Sequence, residues 1–290
     1  MNGFLRRMAL MGMMSMPSMN CTATPPSTDL ELKVQSVDYG ALEEQSTNTL
    51  ELGDVEIVET YQFSHVPLAT RLAQENIRVK KGKSVSFHHE KKRLDWVLYI
   101  EKDQRRLSAY VVDGFVSRPS RNVPERPGAI LLKQYPIQLG WNPIGAKRVE
   151  GDGKSPEGIY RVSFQHPKSK FGLALYVSYP NTDDANRAEY CLRQNGWKEE
   201  LCGLGNRDVT KESLARLRRN DQRCQVPFKD SGLGNYIEIH GSNRDYDWTA
   251  GCIAMREISE IFSLSSGGCS SARVDGKRVL RSNTYVIIVP

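Results

Sequence analysis

Two residues near the end of the chain have side chains suited to nucleophilic catalysis. His240 ends a short run of alternating apolar and polar residues, 236–239, and Cys252 lies twelve positions further on. A thiol of ordinary pKa is only a few per cent ionised near neutral pH, so a nucleophilic cysteine needs a neighbouring imidazole to take its proton. The pair therefore predicts a cysteine nucleophile, Cys252, with His240 as its general base.

The residues before Cys252 bear on the same chemistry. Gly251 allows the backbone to turn tightly, so that the N–H groups of Ala250, Gly251 and Cys252 can point at the charge developing on a carbonyl oxygen. The simpler alternative is a buried structural cysteine and a strand-end histidine that never meet. That alternative is the commoner outcome for one Cys and one His at arbitrary spacing.

Apolar patterns predict the elements that would position this pair. Residues 236–239 form the strand that ends at His240, and residues 253–255 open a helix over 256–264. The polar stretch between residues 95–100 and 107–112 predicts a hairpin. Further strands are predicted over residues 159–164, 171–181 and 284–289. Between them, Gly and Pro clusters at 151–153 and 156–158 indicate two turns.

Three blocks of sequence resemble one known family. His240-Gly241, a loop, and then Thr249-Ala250-Gly251-Cys252-Ile253 resemble the signature of the L,D-transpeptidase (YkuD-type) catalytic domain, which is His-Gly, a variable loop, Ser/Thr-x-Gly-Cys and an apolar residue. Residues 139–160 are similar to the family's LG-x-NP-x-G-x-K and GD-x-x-TPEG-x-Y. Residues 171–181 are similar to its apolar strand ending in Ser-Tyr-Pro-Asn. The resemblance covers about residues 94–290.

The resemblance implies a mainly β fold, a mixed β-sandwich with a few short helices. It also implies that Cys252 forms an acyl-enzyme on a peptidoglycan tetrapeptide stem and transfers it to an amine, with no cofactor and no metal. A main-chain carbonyl at Gly241 or Ser242 would orient His240. The residues expected to bind the substrate or its oxyanion are Gly251, Ala250, Thr249, Ser242 and Trp248.

One departure from the family pattern leaves the acceptor open. Many members carry Arg two positions after the catalytic Cys, where this chain has Ala254. The Gly-Cys-Ile-Ala-Met variant includes enzymes that cut a cell-envelope lipoprotein from peptidoglycan. The alternative activity is therefore a murein hydrolase of the same fold, either an L,D-carboxypeptidase or endopeptidase or a lipoprotein-detaching amidase. A third reading is a wall-binding module without catalysis.

Composition and the N-terminus suggest an exported protein. The 290 residues are 39% apolar and 26% charged, which suits a soluble domain with a real core. No apolar run approaches the roughly 18 residues of a membrane span, so no transmembrane segment is expected in the mature chain. Residues 1–21 resemble a signal peptide, with Arg6-Arg7 before a Met-rich apolar stretch; a Met-rich tail is the alternative. A periplasmic or cell-envelope location follows, and lipidation of Cys21 is not favoured.

Residues 22–93 are expected to be an acidic linker or N-terminal extension before a catalytic domain at 94–290. Nine acidic residues and one base, Lys33, lie between 29 and 59, while residues 78–93 hold seven bases. This split suits an acidic arm that folds onto a basic body, or a solvated linker. Nucleic-acid binding is rejected as the main interpretation because the basic stretch lacks an interleaved aromatic platform and a binding-module pattern.

An insertion is predicted over residues 187–232. It includes a short basic helix over 211–219, capped by Thr210. In an exported protein, four further cysteines suggest two disulfides with three pairings; unpaired thiols are the alternative. These cysteines are Cys191, Cys202, Cys224 and Cys269.

Overall fold

The computed structural model describes residues 66–81, 85–115, 118–205, 209–222, 231–266, 270–274, 277–281 and 284–290. The predicted signal peptide, Cys21 and the acidic stretch 29–59 lie outside these ranges, as do Cys224 and Cys269. Among the helices of the described residues, none is both long and apolar enough to cross a membrane.

The described chain is rich in strands. Its strands are β1 (Ile77–Lys81), β2 (Val85–His89), β3 (Lys92–Glu101), β4 (Arg106–Asp113), β5 (Ala129–Gln138), β6 (Gly158–Ser169), β7 (Gly172–Val177), β8 (Glu238–Gly241), β9 (Ile253–Met255), β10 (Ser270–Val274), β11 (Lys277–Arg281) and β12 (Thr284–Val289). Its helices are α1 (Leu68–Gln74), α2 (Thr182–Gln194), α3 (Lys211–Gln222) and α4 (Ile258–Phe262), with a 3₁₀ turn at Glu200–Cys202.

Ten strands share one mixed sheet in the order β1-β2-β3-β12-β6-β7-β8-β9-β5-β4. Strand β4 also pairs with β3, so that eight of the strands close on themselves. The β3–β12 and β8–β9 pairs are parallel. Alternate residues of β3 enter two separate cores, Trp96 and Leu98 in one and Val97 and Tyr99 in the other. The predicted mainly β fold with a few short helices is confirmed.

Several predicted elements are present. The hairpin is β3–β4, paired from Leu94–Asp113 to Glu101–Arg106, and residues 159–164 and 284–289 lie in β6 and β12. The predicted basic helix is α3. Its cap is also as expected, because the Ser213 N–H donates to Thr210 Oγ1 at 3.1 Å.

Residues 253–255 were expected to open a helix, and this is wrong. They form β9, which pairs in parallel with β8 and antiparallel with β5. All three side chains are fully buried, so the segment suits a strand covered on both faces rather than an amphipathic helix. The helix, α4, begins only at Ile258.

The sheet also extends further towards the N-terminus than the expected boundary at Leu94. Residues 78–93, singled out for their positive charge, lie mostly in the β1–β2 hairpin and the start of β3. The Phe87 ring of β2 stacks on Trp96 of β3 with centroids 4.9 Å apart. This buried aromatic pair ties the hairpin to the main core.

The insertion folds around a small core of its own. Helices α2 and α3 and the 3₁₀ turn bury a group of apolar side chains, among them Leu192, Leu204, Leu214 and Leu217. A disulfide joins Cys191 to Cys202, with Cα atoms 5.8 Å apart. This bridge is one of those that the sequence allowed.

Candidate active site

The sheet register brings the predicted nucleophile and base onto one face. His240 of β8 pairs with Ala254 of β9, and Cys252 lies two positions before Ala254. Cys252 immediately precedes β9, and continuing the alternation of that strand by one residue puts its side chain on the face that carries His240. Both side chains are fully buried, and Cys252 Sγ is 3.5 Å from the Tyr236 carbonyl oxygen.

One hydrogen bond fixes the tautomer of His240. Its Nδ1 lies 3.0 Å from the Gly241 carbonyl oxygen. A carbonyl oxygen only accepts, so Nδ1 carries the hydrogen and Nε2 of the neutral ring has a free lone pair. Nε2 is buried and has no hydrogen-bond partner among the described residues. Of the two carbonyls expected to orient the ring, Gly241 is the one that does so.

The surroundings of His240 keep the imidazole neutral. Burial lowers its pKa to about 4; the Gly241 hydrogen bond opposes this shift and the charge of Lys170 adds to it. The Phe171 ring stacks on the imidazole at 4.0 Å between centroids and 14° between planes. Trp248 meets the same imidazole edge-on at 5.7 Å. Phe171 lies 69 positions from His240, and no sequence pattern pointed to it.

Thr249 holds the loop that carries Cys252. Its hydroxyl donates to the Cys252 carbonyl oxygen at 2.6 Å and accepts from the Gly251 N–H at 3.1 Å. The side chain is fully buried. Thr249, expected to bind substrate or oxyanion, is therefore engaged within the loop, and so is the Gly251 N–H. Ala250, between them, is half-buried.

Ser242 is likewise engaged in local structure. Its N–H donates to the Met255 carbonyl oxygen at 2.9 Å, extending the contact between β8 and β9 by one residue. Its hydroxyl accepts from the Arg244 N–H at 3.1 Å. These bonds start the loop over residues 242–247 that leads to Trp248.

The second block of family-like sequence packs directly on the nucleophile loop. Gly251 has φ of +131°, and a Cβ there would lie 2.4 Å from the Lys154 carbonyl oxygen. A Cβ on Gly140 would lie 2.0 Å from the Gly153 carbonyl oxygen and 3.2 Å from Gly251 Cα. Three backbone segments therefore meet at distances that only glycine permits. Residues 139–158 therefore form a wall against the loop that carries Cys252.

Asp247 joins the wall to the loop. Its Oδ1 accepts from the Leu139 N–H at 2.7 Å, and its Oδ2 accepts from Arg105 Nε at 2.9 Å and Nη2 at 2.8 Å. The Leu139 carbonyl oxygen accepts from the N–H groups of Trp248 and Thr249, each at 3.1 Å. Asp247 thus ties the two segments together, a role that depends on contacts between residues far apart in the sequence.

Trp248 adds a donor to the site. Its Nε1 is buried and has no hydrogen-bond partner among the described residues. The indole also meets Phe171 edge-on at 5.6 Å. The site thus holds an indole donor and an imidazole acceptor that a bound molecule can engage. Among the described residues, no three His, Cys, Asp or Glu side chains are arranged to hold a metal ion.

A comparison with protein families gives a match that includes the site residues. Residues 92–279 match the model of the YkuD family, the L,D-transpeptidase catalytic domain, over more than half of the chain. The chain belongs to this family. The matched region of this L,D-transpeptidase family member includes His240, Cys252 and the wall at 139–158. No curated protein matches the chain.

Several solved structures are similar to the chain at low identity. The helical cell shape determining protein Pgp2 from Campylobacter jejuni is 16% identical, with a TM-score of 0.36, over 78% of this chain and 56% of that one. An L,D-transpeptidase from Mycobacterium smegmatis is 9% identical, with a TM-score of 0.31, over 78% and 88%. The match spans little more than half of Pgp2. Similarity at this level carries no conclusion about activity or substrate.

Proposed function

We propose that this protein is a peptidoglycan L,D-transpeptidase of the cell envelope, with Cys252 as its nucleophile and His240 as its base. The observation that supports this most directly is the state of His240. Its Nδ1–H is committed to Gly241, while Nε2 is buried and unpaired on the face that carries Cys252. A buried polar atom without a partner is costly to a fold, so such an atom on the face of the sheet that carries Cys252 supports use by a substrate.

The first step is acylation of the thiol. Cys252 Sγ attacks the carbonyl carbon between meso-diaminopimelate and the terminal D-alanine of a tetrapeptide stem, and the thiol proton passes to His240 Nε2. The C–N bond then breaks, the leaving amine takes that proton, and a thioester remains. The second step reverses this order: an amine of a neighbouring stem loses its proton to Nε2 and attacks the thioester, and the thiol is restored.

The loop around Cys252 has the second role. We assign oxyanion stabilisation to the backbone N–H groups of Ala250 and Cys252, because the Gly251 N–H already donates to Thr249 Oγ1. The Trp248 indole N–H is assigned to a substrate oxygen, because it is buried and has no partner among the described residues. Both roles depend on the contact between Gly251 and Lys154, which fixes where the loop lies.

The acceptor separates this proposal from its alternative. Water in place of the stem amine gives an L,D-carboxypeptidase or endopeptidase, and cleavage of a lipoprotein's lysine link gives a detaching amidase. All of these activities form the same acyl-enzyme, so the geometry of Cys252 and His240 does not distinguish them. The reaction products distinguish them, because cross-linked dimers arise only from transfer to an amine.

Mass spectrometry of purified peptidoglycan after incubation with the enzyme tests the proposal. The wild type is expected to form cross-linked dimers and to gain one adduct on Cys252 from a carbapenem; Cys252→Ala should do neither. Shortened monomers without dimers would establish the hydrolase instead. Full binding of sacculi by Cys252→Ser, with no adduct on the wild type, would establish a wall-binding module.

The proposed substrate requires export. Residues 1–21 are proposed to act as a signal peptide, so that the enzyme works in the periplasm or at the envelope. Removal of residues 1–21 would be seen in the intact mass of the mature chain; cleavage before Cys21 with an added lipid mass on that residue would make the protein a lipoprotein instead. A full-length mass from the cytoplasmic fraction alone would contradict export.

A further inference from the structure

Exposed aromatic rings border the loop that carries Cys252. In the part of the chain that the structure describes, six large apolar side chains are markedly exposed: Trp141, Ile144, Phe164, Tyr190, Leu201 and Tyr246. Trp141 and Tyr246 lie in the two segments that Asp247 and Leu139 join beside the active site. Two large exposed rings in segments that adjoin the same functional loop are candidates for a binding surface.

Trp141 is held rigidly although about half of it is in water. Its ring lies on the backbone of Gly153, where a Cβ would come within 2.3 Å of the indole. The backbone N–H of Trp141 donates to the Thr249 carbonyl oxygen at 2.9 Å, three residues before Cys252. The side chain is 49% exposed. One part of the indole thus packs on a glycine, and the rest is exposed to solvent.

Tyr246 is fixed in a similar way on the other segment. It is 61% exposed, and its hydroxyl accepts from Arg244 Nη1 at 3.0 Å. The Arg244 guanidinium lies over the Tyr246 ring at 5.7 Å and over the Trp248 ring at 4.4 Å. Trp248 in turn contacts His240. A continuous series of cation–π and edge-on ring contacts therefore runs from the exposed tyrosine to the buried imidazole.

We propose that Trp141 and Tyr246 form a glycan subsite, which binds the N-acetylated amino sugars that carry the stem peptide; this inference rests on the proposed function. Rigid aromatic rings offer large amphipathic contact areas at low conformational-entropy cost. Such areas match the apolar C–H face of a pyranose ring, while Arg244 can donate to sugar hydroxyl or acetamido oxygens.

The size of the substrate supports this placement. The reacting carbonyl belongs to the third residue of the stem, and the first residue is attached to the sugar. Because an extended residue spans about 3.3–3.6 Å, the sugar lies roughly 11 Å from the carbonyl that meets Cys252. A sugar within that reach of Cys252 can contact the surface beside the nucleophile loop, and Trp141 and Tyr246 are exposed in the two segments that adjoin this loop.

Calorimetry tests the subsite without depending on turnover. Chitotetraose, an oligomer of N-acetylglucosamine, is titrated into the full chain carrying Cys252→Ala. Saturable binding is expected, and Trp141→Ala or Tyr246→Ala in that background should raise Kd about tenfold, the effect typical of losing an aromatic anchor. Trp141→Tyr should restore most of the affinity. Tyr190→Ala, which removes an equally exposed ring from α2, is the matched control and should leave Kd unchanged.

Kinetics give a second readout that separates this inference from the proposed function. The ratio of kcat/KM on a disaccharide-linked tetrapeptide to that on the free tetrapeptide should exceed one in the wild type and fall about tenfold in either alanine variant. If neither substrate is turned over, the proposed function is wrong, and calorimetry still tests whether the subsite binds the oligosaccharide. Unchanged Kd in both variants would overturn the subsite. So would a wild-type dimer that Trp141→Ala dissociates, because the rings would then contact a second copy.

Discussion

Two buried titratable side chains, His240 and Asp184, differ in how completely the fold satisfies their hydrogen bonds. His240 has one nitrogen bonded to Gly241 and the other without a partner among the described residues. Asp184, at the start of α2, accepts from Tyr160 Oη at 3.0 Å and from the Asn181 N–H at 2.9 Å, and it also pairs with Arg187. Both are almost fully buried. The satisfied group stabilises the fold, and the unsatisfied one is available for chemistry.

Burial moves both pKa values towards the neutral form. It lowers the pKa of His240 to about 4, and it raises the pKa of Asp184 to about 6 against the opposing effects of Arg187, Asn181 and Tyr160. Near pH 7 His240 is therefore neutral, as a base must be, whereas Asp184 is mostly ionised and paired with Arg187. The difference lies in the number of partners that the fold provides.

The largest effect should come from His240→Gln. The amide cannot take the thiol proton, so kcat/KM should fall about a thousandfold, within the range for loss of a general base. The free energy of unfolding at pH 7 should change little, because the variant removes a group that is only partly bonded. Initial rates on the tetrapeptide stem measure kcat/KM, and urea unfolding measures the free energy of unfolding. Activity above a tenth of the wild-type value would refute the assigned role.

Asp184→Ala should have the reverse profile. It leaves Tyr160 and Arg187 without their buried acceptor, so the free energy of unfolding should fall by about 3 kcal/mol, as when one member of a buried pair is removed. The activity of the molecules that remain folded should be close to that of the wild type. Urea unfolding and activity per folded molecule are the measurements. A variant as stable as the wild type but with little activity would contradict the purely structural role assigned to Asp184.

Gly251→Ala tests the contact between the loop and the wall. The new Cβ would meet the Lys154 carbonyl oxygen at a backbone φ of +131°, which should cost about 2 kcal/mol of stability and lower kcat. Gly196→Ala is the control: its φ is +59°, but no atom lies within 4 Å of the added carbon. Equal thermal unfolding and kcat in the two variants would show that the close contact is unimportant.

The two groups should also give opposite slopes of stability against pH. Between about pH 4 and 6.5 the unfolded chain binds a proton at His240 that the folded chain does not, so this group makes stability fall as pH falls. Asp184 has a raised folded pKa, so its contribution is largest at low pH and is lost as pH rises through about 6. His240→Gln should therefore flatten the rise of stability with pH, and Asp184→Asn should steepen it. Unfolding titrations from pH 4 to 7 that give parallel curves would contradict both assignments.

Phe171→Ala should give the smallest effect. Removing the stacked ring admits water to the imidazole, so the His240 pKa should rise from about 4 towards 6.5, by about one unit or roughly 1.4 kcal/mol. The acid limb of kcat/KM should then move to higher pH by the same amount. Phe164→Ala, which removes a ring stacked on Tyr176 instead, should leave the limb in place. A shift of equal size in both variants would show that the Phe171 ring has no specific effect on the pKa of His240.

The sequence predicts those helices and strands that are defined by residues close together in the chain. The β3–β4 hairpin, β12 and α3 follow from alternation, turn residues and a capping threonine, and the His240–Gly241 contact followed from the family resemblance. Strand β9 was misread because three apolar residues do not distinguish a strand from a helix; its pairing with β5 and β8 decides the matter. Phe171 and Asp247 gain their roles only from contacts across the sheet, which no spacing in the sequence encodes.

The central claim is that a neutral, buried His240 takes the proton of Cys252. The pH dependence of carbapenem adduct formation on Cys252, followed by intact mass in the wild type and in His240→Gln, tests it most directly. An assisted thiol should react at a rate that is nearly constant above pH 5 and falls below about pH 4, and His240→Gln should react about a thousandfold more slowly. A rate that rises tenfold per pH unit towards about pH 8.5 in both proteins, as for an unassisted thiol, would contradict the claim.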